Sequence, residues 1–470
     1  MSATSSLLKL TLGYAPSLII PRLIAFCIVL IFTRLLTPEQ FGLYALVLSF
    51  GEMIYAAFVN WFAVGMTRHL PGRSAEHQAK LMSAAVIVFP VILCFAVPIA
   101  YFLSLTVDTE LTHFLACLLV YVLGRSLQQF GLTLLRVKEL QVSYVVCETL
   151  RPILALLCAV AFTFAFDKNY FVLSLSFFGV TLIFGGITSS YAVRQYGWAS
   201  PDWAALKAML RYAIPLIAVF TLSAIIAMTD RLMLNELSGI AAVGIYAAAF
   251  ALAKPPLDMI FNAVNLGGFA KLIAIYNSDG SEKALQFLQK KLSFVLALAL
   301  PAAVGITLFA QTITQLLLGE AYREQGQEIL SWIAIAAVLA GLKHFIFDQI
   351  FHLTEKTWLQ SVTLIPAVVC NIVMNFILIP ELGPQGAALS TACAYGAALC
   401  GSIYLSAQYL PFQLPYKDMG RIVLATCTMT ILLLFWPSDP AALSFVLAVI
   451  LGITVYGVCL YLVGFQKSFS

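Results

Sequence analysis

The chain has 470 residues, of which 61% are hydrophobic and 10% are charged, with a formal net charge of +4 and a mean hydropathy of +0.96. Soluble domains carry about a quarter charged residues, so this composition excludes a soluble globular protein. The lysines and arginines are spread over the chain without a basic block, which argues against a nucleic-acid partner.

Long apolar runs fill nearly the whole sequence and predict an all-α integral membrane protein. A spanning helix needs roughly 20 mostly apolar residues, and about fourteen such segments follow one another. We interpret the first as a retained helix, because no small-residue signal-peptide cleavage site follows a short apolar core. The predicted spans are Gly13–Leu35, Phe41–Met66, Leu81–Leu105, Leu111–Leu134, Val142–Phe166, Tyr170–Val193, Met209–Asp230, Ile240–Phe269, Ser293–Leu318, Ile329–Phe351, Trp358–Ile379, Pro384–Leu410, Ile422–Trp436 and Ala441–Val463.

Lysine and arginine are concentrated in one alternate set of the predicted loops and termini. That set includes the loop before the ninth span, with Lys290 and Lys291. The opposite set contains only Arg34, Lys168, Arg231 and Arg323. Because cytoplasmic loops are enriched in these residue types, we expect both termini on the cytoplasmic side.

The two halves of the sequence resemble each other weakly, with several matches in one order. Gly42–Ala45 (GLYA) matches Gly244–Ala247 (GIYA), and both segments are expected to form outer turns. At the same offset Asn60 matches Asn262. The shift is six spans, an even number, so the halves should have the same orientation, as in the parallel repeats of some transporters. This predicts six-helix lobes at 1–196 and 197–412, followed by a helix pair at 413–470.

Ionisable side chains inside the predicted spans are costly and are therefore candidate functional groups. Several cations in a wet cavity suit an anionic substrate, above all a phosphate or pyrophosphate. Each acid either binds a coupling ion or pairs with a cation. The candidate cations are Arg22, Arg125, Arg151, Lys254 and Lys343, and the candidate acids are Glu52, Glu148, Asp258 and Asp348.

Two pairs of these candidates are spaced for contact within one helix. Lys254 and Asp258 are four residues apart and share a helix face, and the intervening Pro255–Pro256 is expected to break the helix locally. The pair is either part of a moving, cavity-lining element or a buried ion pair that holds the bundle together. Glu148 and Arg151, three residues apart, are spaced to satisfy each other.

The tenth span brings Lys343, His344 and Asp348 towards one stripe, which His352 continues. A proton-responsive cluster, a metal site and a polar stripe facing a wet cavity all remain open, although two histidines and one aspartate are weak evidence for a metal. Aligning the loops that follow the fourth and tenth spans places Arg125 at the position of Lys343. Each half would then offer one cation from the equivalent helix.

No nucleotide-binding or hydrolase motif occurs in the sequence, so we expect neither enzymatic activity nor a cofactor. Energy for active transport would then come from ion gradients, lipid gradients or consumption of the product.

Three segments resemble the polysaccharide transporter family. Arg34–Leu46 (RLLTPEQFGLYAL) is similar to the first outer turn of that family. Thr229–Pro255 is similar to its seventh-to-eighth-helix stretch, and Leu378–Gly396 to its eleventh-to-twelfth-helix turn. The family comprises Wzx-type oligosaccharide flippases of the MOP superfamily, which also contains MATE drug exporters and lipid II flippases.

The resemblance implies a MATE-like fold and a flippase in the bacterial inner membrane. Such a protein moves undecaprenyl-pyrophosphate-linked oligosaccharide to the outer leaflet by alternating access, for O-antigen or exopolysaccharide synthesis. A cation-lined central cavity receives the head group, and a polysaccharide polymerase and other assembly proteins are implied partners. A MATE-like cation or drug antiporter, a lipid II flippase and a non-transporting assembly scaffold remain the alternatives.

Overall fold

The structure, a computed structural model, describes residues 3–436 and 442–468; the side chains of residues 3–15, 18, 212, 215–216, 218–227 and 467–468 are not described. Every regular element in these ranges is helical, and no strand occurs within them. The predicted all-α class is therefore confirmed.

Eighteen α-helices follow one another in the described ranges. The first nine are α1 Ala3–Leu35, α2 Pro38–Tyr55, α3 Trp61–His69, α4 Ala75–Ser104, α5 Leu111–Val137, α6 Gln141–Ala165, α7 Tyr170–Arg194, α8 Trp203–Ala213 and α9 Pro215–Ser238. The others are α10 Ile240–Asp279, α11 Ser281–Leu308, α12 Ala310–Leu317, α13 Arg323–Leu342, α14 Asp348–Leu353, α15 Leu359–Leu382, α16 Pro384–Tyr409, α17 Tyr416–Leu434 and α18 Ala442–Leu462. One π-helical turn, Ala56–Asn60, joins α2 to α3, and another, Lys343–Phe347, joins α13 to α14.

Each predicted span is helical along most of its length, although four of them cover more than one of these helices. In the described part, 11 helical segments are long and apolar enough to cross a membrane. The spans on α1, α9 and α17 are not among the 11. α1 and α9 contain side chains that are not described, and α17 carries Lys417, Asp418 and Arg421 near its start. The number fourteen therefore stays a prediction.

The chain groups into two compact units, Met1–Asn235 and Glu236–Ser470. In the first unit, α7 packs against α5 and α6, and α2 packs against α5. In the second unit, α16 packs against α13 and α15, and α10 packs against α13. This is the same pattern in the order that the repeat predicts. The first unit extends through most of α9, beyond the predicted limit at 196, and the three lobe boundaries stay predictions.

The repeated GLYA and GIYA segments lie inside helices α2 and α10, so the prediction that they form turns is wrong. The turn after α1 lies at Thr37, whose hydroxyl accepts a hydrogen bond from the Gln40 backbone N–H at 3.4 Å and caps α2. Tyr44 stacks on Phe178 of α7, with ring centroids 5.8 Å apart. The repeated segments thus anchor a helix within its unit.

Helices α5 and α7 approach each other closely through glycines, as small residues allow in membrane helices. A Cβ on Gly131 would lie 2.7 Å from the Ser189 backbone nitrogen, and one on Gly185 would lie 2.8 Å from the Gln128 nitrogen. The Ser189 hydroxyl also donates a 2.5 Å hydrogen bond to the Leu127 carbonyl. This tight pair fixes α5, which carries Arg125.

Helix α10 continues through Pro255 and Pro256, so the predicted local break is wrong. Each proline lacks the backbone N–H that would bond to the preceding turn. In a helix of 40 residues, the hydrogen bonds and contacts on both sides keep the helical path. The side chains of Lys254 and Asp258 are therefore held on one helix.

Candidate functional site

A cluster of charged and aromatic side chains lies on three helices of the first unit. The Arg125 Nε on α5 donates a hydrogen bond of 2.8 Å to Glu52 Oε1 on α2. The Tyr121 hydroxyl donates to the same oxygen at 2.5 Å. The Arg125 and Glu52 side chains are 33% and 48% exposed, so the pair remains accessible. We call Glu52, Tyr55, Tyr121, Arg125, Glu148 and Arg151 the N-terminal charge cluster.

Aromatic rings and one glycine set the position of Arg125. Its guanidinium carbon lies 4.6 Å from the Tyr55 ring centroid, and its Nη1 donates to Gln129 Oε1 at 3.3 Å. Gly51 leaves the space that the Tyr121 ring occupies, since a Cβ there would lie 2.0 Å from that ring. The guanidinium is thus oriented before any substrate arrives.

Glu148 and Arg151 on α6 add a second pair of opposite charges. Arg151 Nη2 lies 3.9 Å from Glu148 Oε1, which confirms that the two residues contact as their spacing predicts. Arg151 also interacts electrostatically with Arg125 and Tyr121. Glu148 Oε2 and Arg151 Nε are buried without a hydrogen-bond partner in the described part of the chain. This pair therefore keeps unused hydrogen-bonding capacity beside Arg125.

Arg22, the remaining predicted cation of this unit, is exposed on α1, which packs against α6. Its role as a substrate ligand stays a prediction.

In the second unit, Lys254 and Asp258 form an ion pair along α10, as their four-residue spacing predicts. Their side chains are 27% and 36% exposed. The Asn262 amide donates to the Asp258 carbonyl at 2.7 Å. This pair is a second accessible group of opposite charges within the membrane helices.

Lys343 is fully buried, which contradicts its expected place on a wet cavity. Its Nζ donates to Asp348 Oδ2 at 2.7 Å, and the Ser402 hydroxyl of α16 donates to Asp348 Oδ1 at 2.7 Å. In an α-helix, residues five apart point about 140° away from each other. The wider π-helical turn Lys343–Phe347 brings the two side chains together. Lys343 is thus a structural group in this conformation and not equivalent to the accessible Arg125.

The two histidines of the predicted stripe, His344 and His352, contact different residues. His344 Nδ1 lies 3.4 Å from Asp348 Oδ2. His352 Nε2 lies 2.8 Å from the Gln360 amide nitrogen, and its ring packs edge-on against Phe269. Within the described residues, no group of three or more His, Cys, Asp or Glu side chains is arranged to hold a metal ion.

Replacing Lys343 with Met should destabilise the protein by about 3–5 kcal/mol, because the buried Asp348 charge would lose its partner. The double variant Lys343→Met/Asp348→Asn should recover much of this loss. Lys254→Met, which removes one half of an exposed pair, should change stability by less than about 1 kcal/mol. Thermal unfolding of the purified protein in detergent measures all three. A Lys343→Met protein as stable as the wild type would contradict this assignment.

Sequence reasoning missed a buried lysine. Lys291, expected in a cytoplasmic loop, lies on α11 and is 5% exposed. Its Nζ donates to Asn265 Oδ1 and Gln349 Oε1, both at 2.8 Å. Helix α11 begins at Ser281, well before the predicted span, and this extension places Lys291 among α10, α11 and α14. No local pattern in the sequence links Lys291 to Asn265 and Gln349, which are 26 and 58 residues away from it.

An apolar groove lies along α11, α17 and α18 and encloses about 480 Å³. Aliphatic and aromatic side chains form nearly all of its surface. They include Leu298, Ile306, Phe309, Met429, Phe445 and Tyr456. Such a groove suits a hydrocarbon chain and offers almost nothing to a polar head group.

The fold is similar to two solved transporters. It matches the lipid II flippase MurJ in an inward closed conformation with a TM-score of 0.78 and 14% identity, over 95% of this chain and 97% of MurJ. It matches an inward-facing multidrug resistance MATE family transporter of the MOP superfamily with a TM-score of 0.56 and 14% identity, over 87% of this chain and 98% of that one. The fold and its membrane-embedded charges define a multi-pass membrane protein with the fold of MOP superfamily transporters, which confirms the predicted MATE-like fold class.

The chain belongs to the polysaccharide biosynthesis protein family, whose pattern matches residues 31–326. Over 193 residues it is 21% identical to the probable low-salt glycan biosynthesis flippase Agl15 of Haloferax volcanii. That match covers 40% of this chain and 39% of Agl15, so the chain spans about two fifths of that relative's length. The relatives are flippases and transporters, not enzymes.

Proposed function

We propose that this protein is a flippase for undecaprenyl-pyrophosphate-linked oligosaccharide. It moves the head group from the cytoplasmic to the outer leaflet of the bacterial inner membrane by alternating access, for surface polysaccharide synthesis. Its termini lie in the cytoplasm, which a reporter fused after Ser470 tests. The observation that carries the proposal is the accessible, pre-oriented guanidinium of Arg125 within the membrane helices.

The N-terminal charge cluster suits a phosphate-containing head group. Phosphate oxygens accept the same charge-assisted hydrogen bonds from arginine as carboxylate oxygens do. A pyrophosphate can therefore replace Glu52 as the partner of Arg125. Arg151 lies close enough to add a second positive charge, and its Nε is free to donate. When the substrate leaves, Glu52 and Arg125 form their ion pair again.

The apolar groove on α11, α17 and α18 suits the polyprenyl tail. Burying hydrocarbon against apolar side chains needs no polar partner, and lipid acyl chains compete for the same surface with similar energy. The groove can therefore take up such a tail without holding it tightly.

Flipping by the purified protein in liposomes tests the proposal. Liposomes are loaded with a fluorescent polyprenyl-pyrophosphate oligosaccharide, and the fraction of head groups accessible to an external quencher is followed. We expect faster exchange between leaflets than in protein-free liposomes, and slower exchange when the pyrophosphate is replaced by a neutral head group. Equal rates with and without protein would contradict a flippase function. Lipid II in the same assay distinguishes a lipid II flippase.

A MATE-like cation antiporter is the second candidate, because Glu52 and Asp258 are both partly exposed acids within membrane helices. Each of these acids is paired with a basic side chain of its own unit, which lowers its attraction for a cationic drug. Drug resistance on overexpression, together with the absence of lipid exchange in liposomes, would favour this function.

A further inference from the structure

Lys291 occupies an unusual environment for a lysine, which we call the amide cradle: Lys291, Asn265 and Gln349. Besides the two hydrogen bonds from Lys291 Nζ, the Gln349 Nε2 donates to Asn265 Oδ1 at 2.6 Å. The lysine stem packs beside Gly268, where an added Cβ would lie 3.4 Å from Lys291 Cε. The three polar groups thus form a closed ring inside the second unit.

No ion pair joins Lys291 to a carboxylate of the described residues, and the two groups that accept hydrogen bonds from its Nζ are neutral amides. Lys343, which is also buried, lies against Asp348. An ammonium in a water-poor site without an opposite charge is costly. A neutral amine has a lone pair and can accept a hydrogen bond from an amide N–H, so the same cradle accommodates both protonation states.

Several other charged groups on the packed elements have partners of their own. Lys271 of α10 lies over the Phe287 ring, and His352 of α14 lies against Gln360. Asp418 of α17 accepts from Ser293 and pairs with Arg421. The remaining charged or titratable groups are Lys254, Asp258 and Asp279 of α10, Lys283 and Glu282 of α11, the exposed Lys290 beside Lys291, Arg323, Glu324 and Glu328 at the start of α13, His344 beside Asp348, and Lys417 of α17.

The first unit packs without such a cradle. The offset that matches Gly42 with Gly244 matches Asn265 with Ala63, and the offset that matches Arg125 with Lys343 matches Gln349 with Gly131. In that region Phe89 stacks on Phe130 at 4.6 Å. Apolar side chains therefore suffice to pack the corresponding helices of the first unit. The need for packing alone does not explain why the second unit has a buried lysine at this place.

We propose that Lys291 is a proton-binding site, held by Asn265 and Gln349, whose proton is taken up and released during each transport cycle. A proton can leave Lys291 without breaking an ion pair. Loss of a proton from Lys343, in contrast, would leave the buried Asp348 carboxylate without its partner. The exchanged species is the proton itself, and the site couples lipid movement to a proton gradient. The coupling, though not the proton site, rests on the proposed flippase function.

The proton site is tested by ¹⁵N NMR of lysine-labelled protein in nanodiscs over a pH series. The Lys291 signal is identified by its loss in Lys291→Met. We expect this signal to change from ammonium to amine within the series while the protein stays folded. An ammonium signal throughout the folded range would overturn the proposal. This readout needs no transport, so it decides the proton site even if the protein moves no lipid.

The coupling is tested in the flipping assay with an imposed pH gradient. We expect the gradient to change the wild-type rate several-fold and to leave Lys291→Met and Lys291→Arg insensitive, because arginine keeps the charge but does not release its proton. Lys290→Met, the same change at an exposed neighbour, should respond as the wild type does. Wild-type response in Lys291→Arg would show a merely structural charge and overturn the coupling.

Discussion

Replacing Arg125 with Ala is expected to abolish surface polysaccharide and to slow flipping at least about tenfold, the effect of some 1.4 kcal/mol lost from substrate binding. Arg125 is accessible, oriented by Tyr55 and Tyr121, and carries the charge that a pyrophosphate needs. Arg125→Lys should retain part of the activity, because lysine keeps the charge but loses the planar, bidentate geometry. Surface polysaccharide and protein level are measured in the same cells.

Arg136 provides a matched control on the same helix. Its Nη2 donates to the Tyr144 hydroxyl at 2.9 Å, and its guanidinium carbon lies 5.2 Å from that ring centroid. Arg136→Ala thus removes a similar arginine–tyrosine contact outside the N-terminal charge cluster and should leave polysaccharide unchanged. Normal polysaccharide in Arg125→Ala cells would exclude Arg125 as a required ligand.

A structural role for Arg125 can be separated from a role in binding. Arg125→Ala leaves Glu52 without its cation, whereas Arg125→Ala/Glu52→Ala removes both charges. If the arginine only balances Glu52, the double variant should recover activity. If it binds substrate, the double variant should be stable and inactive.

Lys254→Ala is expected to reduce polysaccharide as well, since Lys254 is a partly exposed cation of the second unit.

Replacing Gly185 with Val is expected to cost about 1–3 kcal/mol or more and to reduce the amount of folded protein sharply. A Cβ at Gly185 would lie 2.8 Å from both the Gln128 nitrogen and the Gly124 carbonyl oxygen, which are backbone atoms and cannot rotate away. Helices α5 and α7 would have to separate. Thermal unfolding in detergent and the yield of monodisperse protein measure the effect.

Gly186 is the control for this substitution. It is the next residue of the same helix, and a Cβ there would meet nothing within 4 Å. Gly186→Val carries the same change in helix propensity without the clash and should fold nearly as the wild type does. Equal stability of the two variants would contradict the tight packing of α5 against α7.

The helices could be predicted from the sequence because apolar length is a local property of the chain. Contacts within one helix were equally accessible: the spacing of Lys254 with Asp258 and of Glu148 with Arg151 already placed each pair on one face. The contact of Glu52 with Arg125 could not be predicted from the sequence, because it depends on how α2 packs against α5. Gly51, which makes room for Tyr121, is recognisable only once those helices meet.

Other errors came from rules that average over many proteins. The enrichment of lysine in cytoplasmic loops placed Lys291 in water, although helix α11 continues past it and its side chain turns inwards. Regular α-helical spacing placed Lys343 on a wet stripe, whereas the π-helical turn rotates it towards Asp348. In both cases a buried polar partner outweighs the average preference of the residue type.

The π-helical turn Lys343–Phe347 has a consequence for how the chain tolerates length changes. Such a turn accommodates one residue more than a regular α-helix, and its benefit here is a salt bridge between positions five apart. Deleting a single residue between Lys343 and Asp348 would restore ordinary helix geometry and leave the helix beyond in nearly the same orientation. Lys343 and Asp348 would then be four residues apart and would still share a helix face. A one-residue deletion in this stretch should therefore be tolerated better than a one-residue deletion elsewhere in the helix.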